Sequence, residues 1–236
     1  MARRAFPRLS IDLIYALPGQ SATAWRAALT EALTLGPEHV SPYQLTLEAG
    51  TAFDRAVKRG RWSPPQDDAA GDLYETTQAV LGAAGFDAYE VSNHARGAAA
   101  RSRHNLIYGR GGDYIGGGPG AHGRITTADG ARWSTLTPSR ISDYVACVET
   151  TGCGVAERER LSPLEAAQER LLMGLRTVEG VALDELAALQ LDPAMIEHLR
   201  SAGMLQATAD RLIATRQGRA LLDRITLELA ESAASG

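Results

Sequence analysis

Residues 11–20 read Ile11-Asp12-Leu13-Ile14-Tyr15-Ala16-Leu17-Pro18-Gly19-Gln20. The run from Leu9 to Leu17 is short and apolar, and Pro18-Gly19 closes it as a turn, so it reads as a strand. Ser21 then offers an N-cap, and Trp25, Ala28, Leu29, Ala32 and Leu33 recur at helical spacing until Gly36-Pro37. The pattern repeats downstream. His39 to Leu47 reads as a second strand, Glu48 to Gln66 as a Gly- and Pro-punctuated loop, and Asp67 opens a second helix. That helix carries Leu73, Val80 and Leu81 and stops at Gly85, and Phe86 to Val91 reads as a third strand. Strand, helix, strand, helix, strand with short connections predicts an α/β fold paired in parallel through right-handed crossovers. Antiparallel pairing of residues 11–17 with 40–47 would contradict it. Three such units do not close a barrel, and the first strand would stand on an open apolar edge.

Farther along lies a glycine-dense stretch, His104 to Arg124, in which eight of 21 residues are Gly and two His, two Arg and two Tyr stand between them. Such density suits turns, positive-φ positions or close approach to a ligand. Tyr108, Tyr114 and Ile115 are too large and apolar for a flexible tether, so the stretch reads as a binding loop. It contains no G-x-x-x-x-G-K-[ST] phosphate loop and does not join a strand to a helix as a dinucleotide fingerprint requires. Arg124 to Thr127 and Arg132 to Thr135 flank Asp129-Gly130, a hairpin signal. Ser139 to Glu149 reads as helix, and Thr151 to Arg160 as a linker.

A separate module follows. Ser162-Pro163-Leu164-Glu165 joins a capping box to Pro at the first helical position. Helices are expected around Leu183–Leu189 and Pro193–Ala202, a small hairpin from Met204–Gln206 and Leu212–Ala214, and a last helix over Gln217–Leu229. Helices with a hairpin before the last give a winged-helix-like order. Residues 163–230 hold seven Arg and no Lys against ten acidic residues, so this module lacks the basic face that phosphate neutralisation requires. A packing or lid role suits it better.

Composition agrees. At 236 residues and 44% hydrophobic the chain can bury a sizeable core, and a net charge of −4 argues against nucleic acid as a partner. Two cysteines, Cys147 and Cys153, fit a reducing compartment and read as one core and one loop thiol. Three Arg in Met1–Arg8 suggest a targeting peptide, but no uninterrupted apolar segment follows, so the expected location is cytoplasmic. No stretch has the length of a membrane-spanning helix.

Taken together, four ordered motifs resemble the HemW family. These are Ile11 to Gln20; Ser41-Pro42-Tyr43-Gln44-Leu45-Thr46; Tyr89-Glu90-Val91-Ser92-Asn93-His94-Ala95; and His104-Asn105-Leu106-Ile107-Tyr108 with Gly112-Asp113-Tyr114 and Gly118-Pro119-Gly120-Ala121-His122-Gly123. That family comprises haem chaperones of the radical S-adenosylmethionine superfamily, close to oxygen-independent coproporphyrinogen III oxidase. The family has Trp where this chain has Gly109. Its Cys-x-x-x-Cys-x-x-Cys motif and Gly-Gly-Thr-Pro turn belong upstream of Asp12. The resemblance implies the C-terminal half of a partial parallel (β/α)6 barrel over residues 1–150 and a small winged-helix-like domain over 161–232. On this reading the chain is a fragment, a truncated product or the result of a misassigned start.

The same resemblance supplies candidate residues. It places Asp12 against S-adenosyl-L-methionine and the backbone near Ile14 beside the adenosine, at strand ends where β/α barrels bind ligands. From the residues alone, Asp12 reads equally as a capping or ion-paired carboxylate. Gln44, on the second strand beside Tyr43, reads as a cofactor donor or as satisfying a neighbouring strand end. Glu90 reads as orienting a bound group, and Asn93 and His94 as loop residues or ligands. His104 and Tyr108 are the favoured haem contacts, with His122 second, because imidazole is a common haem ligand; the alternative is turn stabilisation. Arg101, Arg103, Arg110 and Arg124 are offered to porphyrin propionates, or are merely solvated. Replacing an aromatic by Gly109 is expected to weaken haem binding, and Gly109→Trp to strengthen it.

Three functions follow as expectations. The first is a haem-binding chaperone, with haem or porphyrin and haem-acceptor proteins as partners. The second is a coproporphyrinogen III oxidase, which decarboxylates oxidatively. The third is a non-catalytic ligand-binding or interaction module. The family's cofactors are S-adenosyl-L-methionine and [4Fe-4S]; with two cysteines this chain is not expected to cleave S-adenosylmethionine by itself.

Overall fold

The structure, a computed structural model, describes residues 5–47, 49–63 and 65–234. Residues 1–4 of the basic N-terminal stretch, and Glu48 and Pro64 of the expected loop, lie outside the described residues. Two compact units divide the chain, residues 1–102 and 103–236.

The first unit is α/β. Strand β1 (Ser10–Tyr15) pairs in parallel with β2 (His39–Gln44), from Ser10 beside His39 to Tyr15 beside Gln44. Helix α1 (Ala22–Thr34) makes the crossover, with the Ser21 hydroxyl accepting from the Ala24 N–H as its cap. Alternation along β1 follows from the two-residue period of a strand. Tyr15 is buried, Leu13 packs against the same core, and Ser10, Asp12 and Ile14 on the other face are exposed. The helix-side core contains Tyr15, Trp25, Leu29, Val40, Leu73, Leu81 and Phe86. Trp25 Nε1 donates to Thr77 Oγ1 at 2.8 Å, so its one polar atom is satisfied inside that core.

Two expectations change here. The loop after β2 contains a short helix α2 (Ala52–Lys58), capped by Thr51 and braced by Lys58–Asp54 at 2.9 Å. Helix α3 (Asp67–Ala83) leads to β3 (Asp87–Glu90) as expected, but β3 does not lie beside β2. The chain reverses at once into β4 (Asn93–Ala95), which pairs antiparallel with both, giving the order β1-β2-β4-β3. The reversal is held by Glu90, whose carboxylate accepts from Ser92 N at 2.8 Å and Asn93 Nδ2 at 2.6 Å.

The second unit opens with helix α4 (Arg103–Gly109). Strands β5 (His122–Thr126) and β6 (Arg132–Leu136) form the expected hairpin, with Gly130 at φ +79° in its turn. Helix α5 (Ile141–Thr151) follows. The segment read as linker carries β7 (Glu157–Arg160), an edge strand on β6. Helix α6 (Pro163–Gly174) has the capping box in full. Strand β8 (Val181–Ala182), a 3-10 turn (Asp184–Leu189) and α7 (Pro193–Ser201) come next. The expected hairpin is present as an antiparallel bridge, Leu205 to Ala214, with the Gln206 N–H donating to the Ile213 carbonyl at 2.8 Å and the Thr215 N–H to that of Met204 at 2.9 Å, while β9 (Arg211–Leu212) also pairs with β8. The last helix is broken into α8 (Arg216–Ala220) and α9 (Leu222–Ala234). Leu171, Leu175, Val181, Leu186, Leu212, Ile225 and Leu229 are nearly inaccessible and supply this unit's core.

Candidate functional site

In the first unit the sheet face opposite α1 and α3 carries the polar candidates. Asp12 lies beside Ser41 and Ile14 beside Tyr43 in the parallel register, so all four side chains share that face. Ile14 is 54% and Tyr43 40% exposed, an apolar surface flanked by the Asp12 carboxylate. Gln44 belongs to the other side: it pairs with Tyr15, whose hydroxyl donates to Gln44 Oε1 at 3.5 Å. Burial, with Tyr74 nearby, pushes the Tyr15 phenol up to about 12, so it stays a donor.

At the start of the strands on the Asp12 face lies a relay that the sequence did not announce. Ser10 Oγ is 2.9 Å from His39 Nδ1, and His39 Nε2 is 2.7 Å from the Tyr89 hydroxyl, which accepts from Ser102 N at 3.2 Å. Either neutral tautomer of His39 serves both contacts, one ring nitrogen donating and the other accepting. His39 is 5% exposed, and burial lowers its pKa against a smaller upward effect of Asp12. The direction of that shift favours the neutral imidazole.

The other candidates of this unit are structural in their contacts. Glu90 is buried and occupied by the β3–β4 reversal. His94 is 1% exposed and reaches Gln78 Oε1 on α3 at 3.3 Å. Arg101 lies over the Tyr89 ring, 5.6 Å from its centroid.

In the second unit, His104 and Tyr108 sit on a helix and not in the expected loop. Four residues apart on α4, they face each other: the Tyr108 hydroxyl is 3.0 Å from His104 Nε2, and the rings meet edge-on at 4.7 Å. Tyr114 continues the row, 4.5 Å from Tyr108. It is fixed by a backbone bridge to Arg124, with both N–H···O distances 2.8 Å. Much of the glycine density has a packing cause. A Cβ on Gly116 would lie 2.3 Å from the His122 carbonyl, and one on Gly123 would lie 2.4 Å from Thr135 Oγ1. His122 itself is exposed at the start of β5, paired with Leu136 and separated from His104 by the glycine run.

Gly109 also overturns an expectation. It is buried against α6 and the turn after it, and a Cβ there would stand 2.2 Å from Thr177 Cγ2. Thr177 is 1% exposed, so position 109 has no room for an aromatic ring beside a ligand.

Beside Tyr108 is a cavity of about 230 Å³ lined by Tyr108, Gly111, Arg132, Glu169, Arg170 and Met173. Its charges are already matched. Arg124 holds Glu169 at 2.6 Å, and Arg170 holds Glu185 at 2.5 Å while donating to the Gly109 carbonyl at 2.7 Å. Arg132 is held loosest, 3.3 Å from Glu169 and 3.5 Å from Asp113. Asp113 is occupied by the Thr126 N–H and hydroxyl, both at 2.8 Å, and the former leads in lowering its pKa. Arg110 forms a two-pronged pair with Glu179 at 2.6 and 2.8 Å, so Arg110 and Arg124 are engaged, whereas Arg103 is exposed. Arg132, which the motifs did not single out, joins this cluster because β6 and α6 meet only in the fold.

Among the described residues there is no group of three His, Cys, Asp or Glu placed to hold a metal, and no helix long and apolar enough to cross a membrane. Neither thiol is a core thiol: Cys153 is exposed and Cys147 half-buried.

Comparison with known proteins places these features. Residues 161–221 match the HemN C-terminal domain. A zebrafish (Danio rerio) relative, radical S-adenosyl methionine domain-containing protein 1, mitochondrial, is 44% identical over 187 residues, covering 76% of this chain and 41% of the relative. Heme chaperone HemW of Mycobacterium tuberculosis is 37% identical over 224 residues, covering 95% of this chain and 55% of that one. The chain thus spans about half the length of the curated relatives it matches. Among solved structures, coproporphyrinogen III oxidase (HemN) from Escherichia coli superposes with a TM-score of 0.71 over 97% of this chain and 56% of the other, at 18% identity, a likeness of fold.

Proposed function

The chain belongs to the HemW- and HemN-like family of radical S-adenosylmethionine proteins, and on that premise we propose that it binds haem as part of a haem chaperone. One observation carries the reading. His104 and Tyr108 stand side by side on one turn of α4, backed by Tyr114, in a row of edge-on rings with an exposed imidazole at its outer end. Such a ring cluster offers apolar contact to a macrocycle, and imidazole suits its iron. His104 holds the iron side, Tyr108 and Tyr114 the plane, and His122 is the second imidazole within the motif. Arg132, loosely held and opening on the same cavity as Tyr108, is the guanidinium for a propionate.

The family's other groups fare differently. Asp12 and Ile14 offer a carboxylate beside an apolar patch, a fit for ribose hydroxyls and an adenine edge; S-adenosyl-L-methionine would rest there, with Gln44, on the other face beside Tyr15, within reach only around the strand end. The [4Fe-4S] cluster does not fit this chain, whose two cysteines stand together at one helix end, so we derive no step through it. The proposal includes the finer architecture, in which residues 1–150 are the C-terminal half of a partial (β/α)6 barrel and 161–232 a winged-helix-like domain. It also includes a cytoplasmic location and delivery of haem to acceptor proteins.

The test is a haem titration of the chain. A shifted Soret band that His104→Ala abolishes supports the haem-binding reading. A titration that His104→Ala leaves unchanged removes the residue on which the reading rests.

A further inference from the structure

The two cysteines end α5 in a geometry with chemical consequences. Gly152 is left-handed, φ +74°, and its N–H returns to the Val148 carbonyl at 3.0 Å. In such a helix ending the residue after the left-handed one folds back over a side chain a turn earlier, normally as an apolar contact. Here those positions are Cys153 and Cys147. The Thr151 hydroxyl touches both sulfurs, 3.9 Å from Cys147 Sγ and 3.7 Å from Cys153 Sγ. Cys147 Sγ also donates to the Cys153 and Val155 carbonyls, each at 3.7 Å, so its thiol already lies against the backbone of its neighbour.

We propose that Cys147 and Cys153 form a dithiol site that low-molecular-weight disulfides oxidise to an intramolecular bond. The two thiols have different parts. Cys153 is exposed, whereas Cys147 is half-buried beneath it. The Val155 N–H first, then the Thr151 hydroxyl, hold the Cys153 thiol below its ordinary value, which raises the thiolate fraction near neutral pH.

Cys153 thiolate attacks one sulfur of the small disulfide; that S–S bond breaks and a thiolate leaves. Cys147 gives up its proton to solvent and attacks Cys153 Sγ, displacing the second small thiolate. The chain loses two electrons and two protons, and the small disulfide becomes two thiols. The two sulfurs start as neighbours of one hydroxyl, on residues joined by a tight helix ending, so the second attack is intramolecular and local. The product ties the end of α5 to the segment that enters β7. This site is independent of haem.

Reaction of the whole chain with 5,5′-dithiobis(2-nitrobenzoate), followed by mass spectrometry, tests it. Both equivalents of chromophore should be released, and the chain should end without label and lighter by two hydrogens. Cys147→Ser should stop at a stable mixed disulfide. Cys153→Ser should react several-fold more slowly, and Thr151→Val should move the pH profile of the first step upward. Wild-type chain that ends with a label on each cysteine would overturn the proposal. Equal first-step rates for the two single variants would do the same for the assigned order. Circular dichroism on each variant confirms that the fold is retained.

Discussion

The Tyr108 hydroxyl lies 3.0 Å from His104 Nε2, one helical turn away along α4. Nε2 is thus occupied in the free chain, and iron must displace a phenol to reach it. An exposed hydrogen bond of this kind is worth about 0.5–1 kcal/mol net. Tyr108→Phe keeps the ring and removes the competitor, so haem should bind roughly two- to fivefold tighter by spectrophotometric titration. Weaker binding would instead assign the hydroxyl to the haem complex. His94→Ala should leave the Soret titration as it is, since His94 is buried against Gln78.

Arg132 gives a second prediction. Its contacts with Glu169 and Asp113 are the longest of the cluster, so turning to a propionate costs little. Arg132→Ala should weaken haem binding by up to about tenfold without changing the Soret position, whereas Arg110→Ala, which removes a partner of Glu179, should not. Equal effects of the two would take Arg132 out of the site.

Gly109 predicts stability. Any side chain there meets the Thr177 methyl, and overpacking of this size typically costs about 1–3 kcal/mol. Gly109→Ala should lower the urea midpoint, and Gly109→Trp should do so further without tightening haem. Adding Thr177→Ser, which removes the offending methyl and keeps the hydroxyl bonded to the Gly174 carbonyl, should recover part of the loss.

His39 predicts a pH dependence. Burial lowers its pKa in the fold, so the unfolded chain binds the proton more readily. The stabilisation is therefore fully present above the ordinary histidine range, near 6.5, and is lost as pH falls from there toward the lowered value. Urea midpoints should drop across that window, and the drop should be smaller in His39→Gln. A midpoint slope identical in both would place the acid sensitivity elsewhere.

Ser162 makes a reciprocal cap: its hydroxyl accepts from Glu165 N at 3.2 Å, and Glu165 accepts from Ser162 N at 2.8 Å. Ser162→Ala should cost about 1 kcal/mol in urea denaturation of the C-terminal module, with Ser162→Gly milder. No loss on Ser162→Ala would mean that α6 is held by packing alone.

Much of the architecture is local, and local chemistry was legible. Parallel β1 and β2 with a helix between them follow from one apolar run, one Pro-Gly turn and one amphipathic stripe. The β5–β6 hairpin follows from Asp129-Gly130, and the start of α6 from Ser162-Pro163. Asp12, Ile14, His104 and Tyr108 could be proposed from sequence because their motifs are contiguous. What the sequence could not show depends on partners distant along the chain. The antiparallel insertion of β4 depends on β2, where His39 and Val40 receive Ala95 and His94. His39 becomes a relay only because β1 and β3 bring Ser10 and Tyr89 to its two nitrogens. The crowding at Gly109 is set by Thr177, more than 60 residues farther on, and the loose hold on Arg132 by Glu169 of α6. A side chain's role at such places is decided by what else occupies the same few ångströms, and that is a property of tertiary packing.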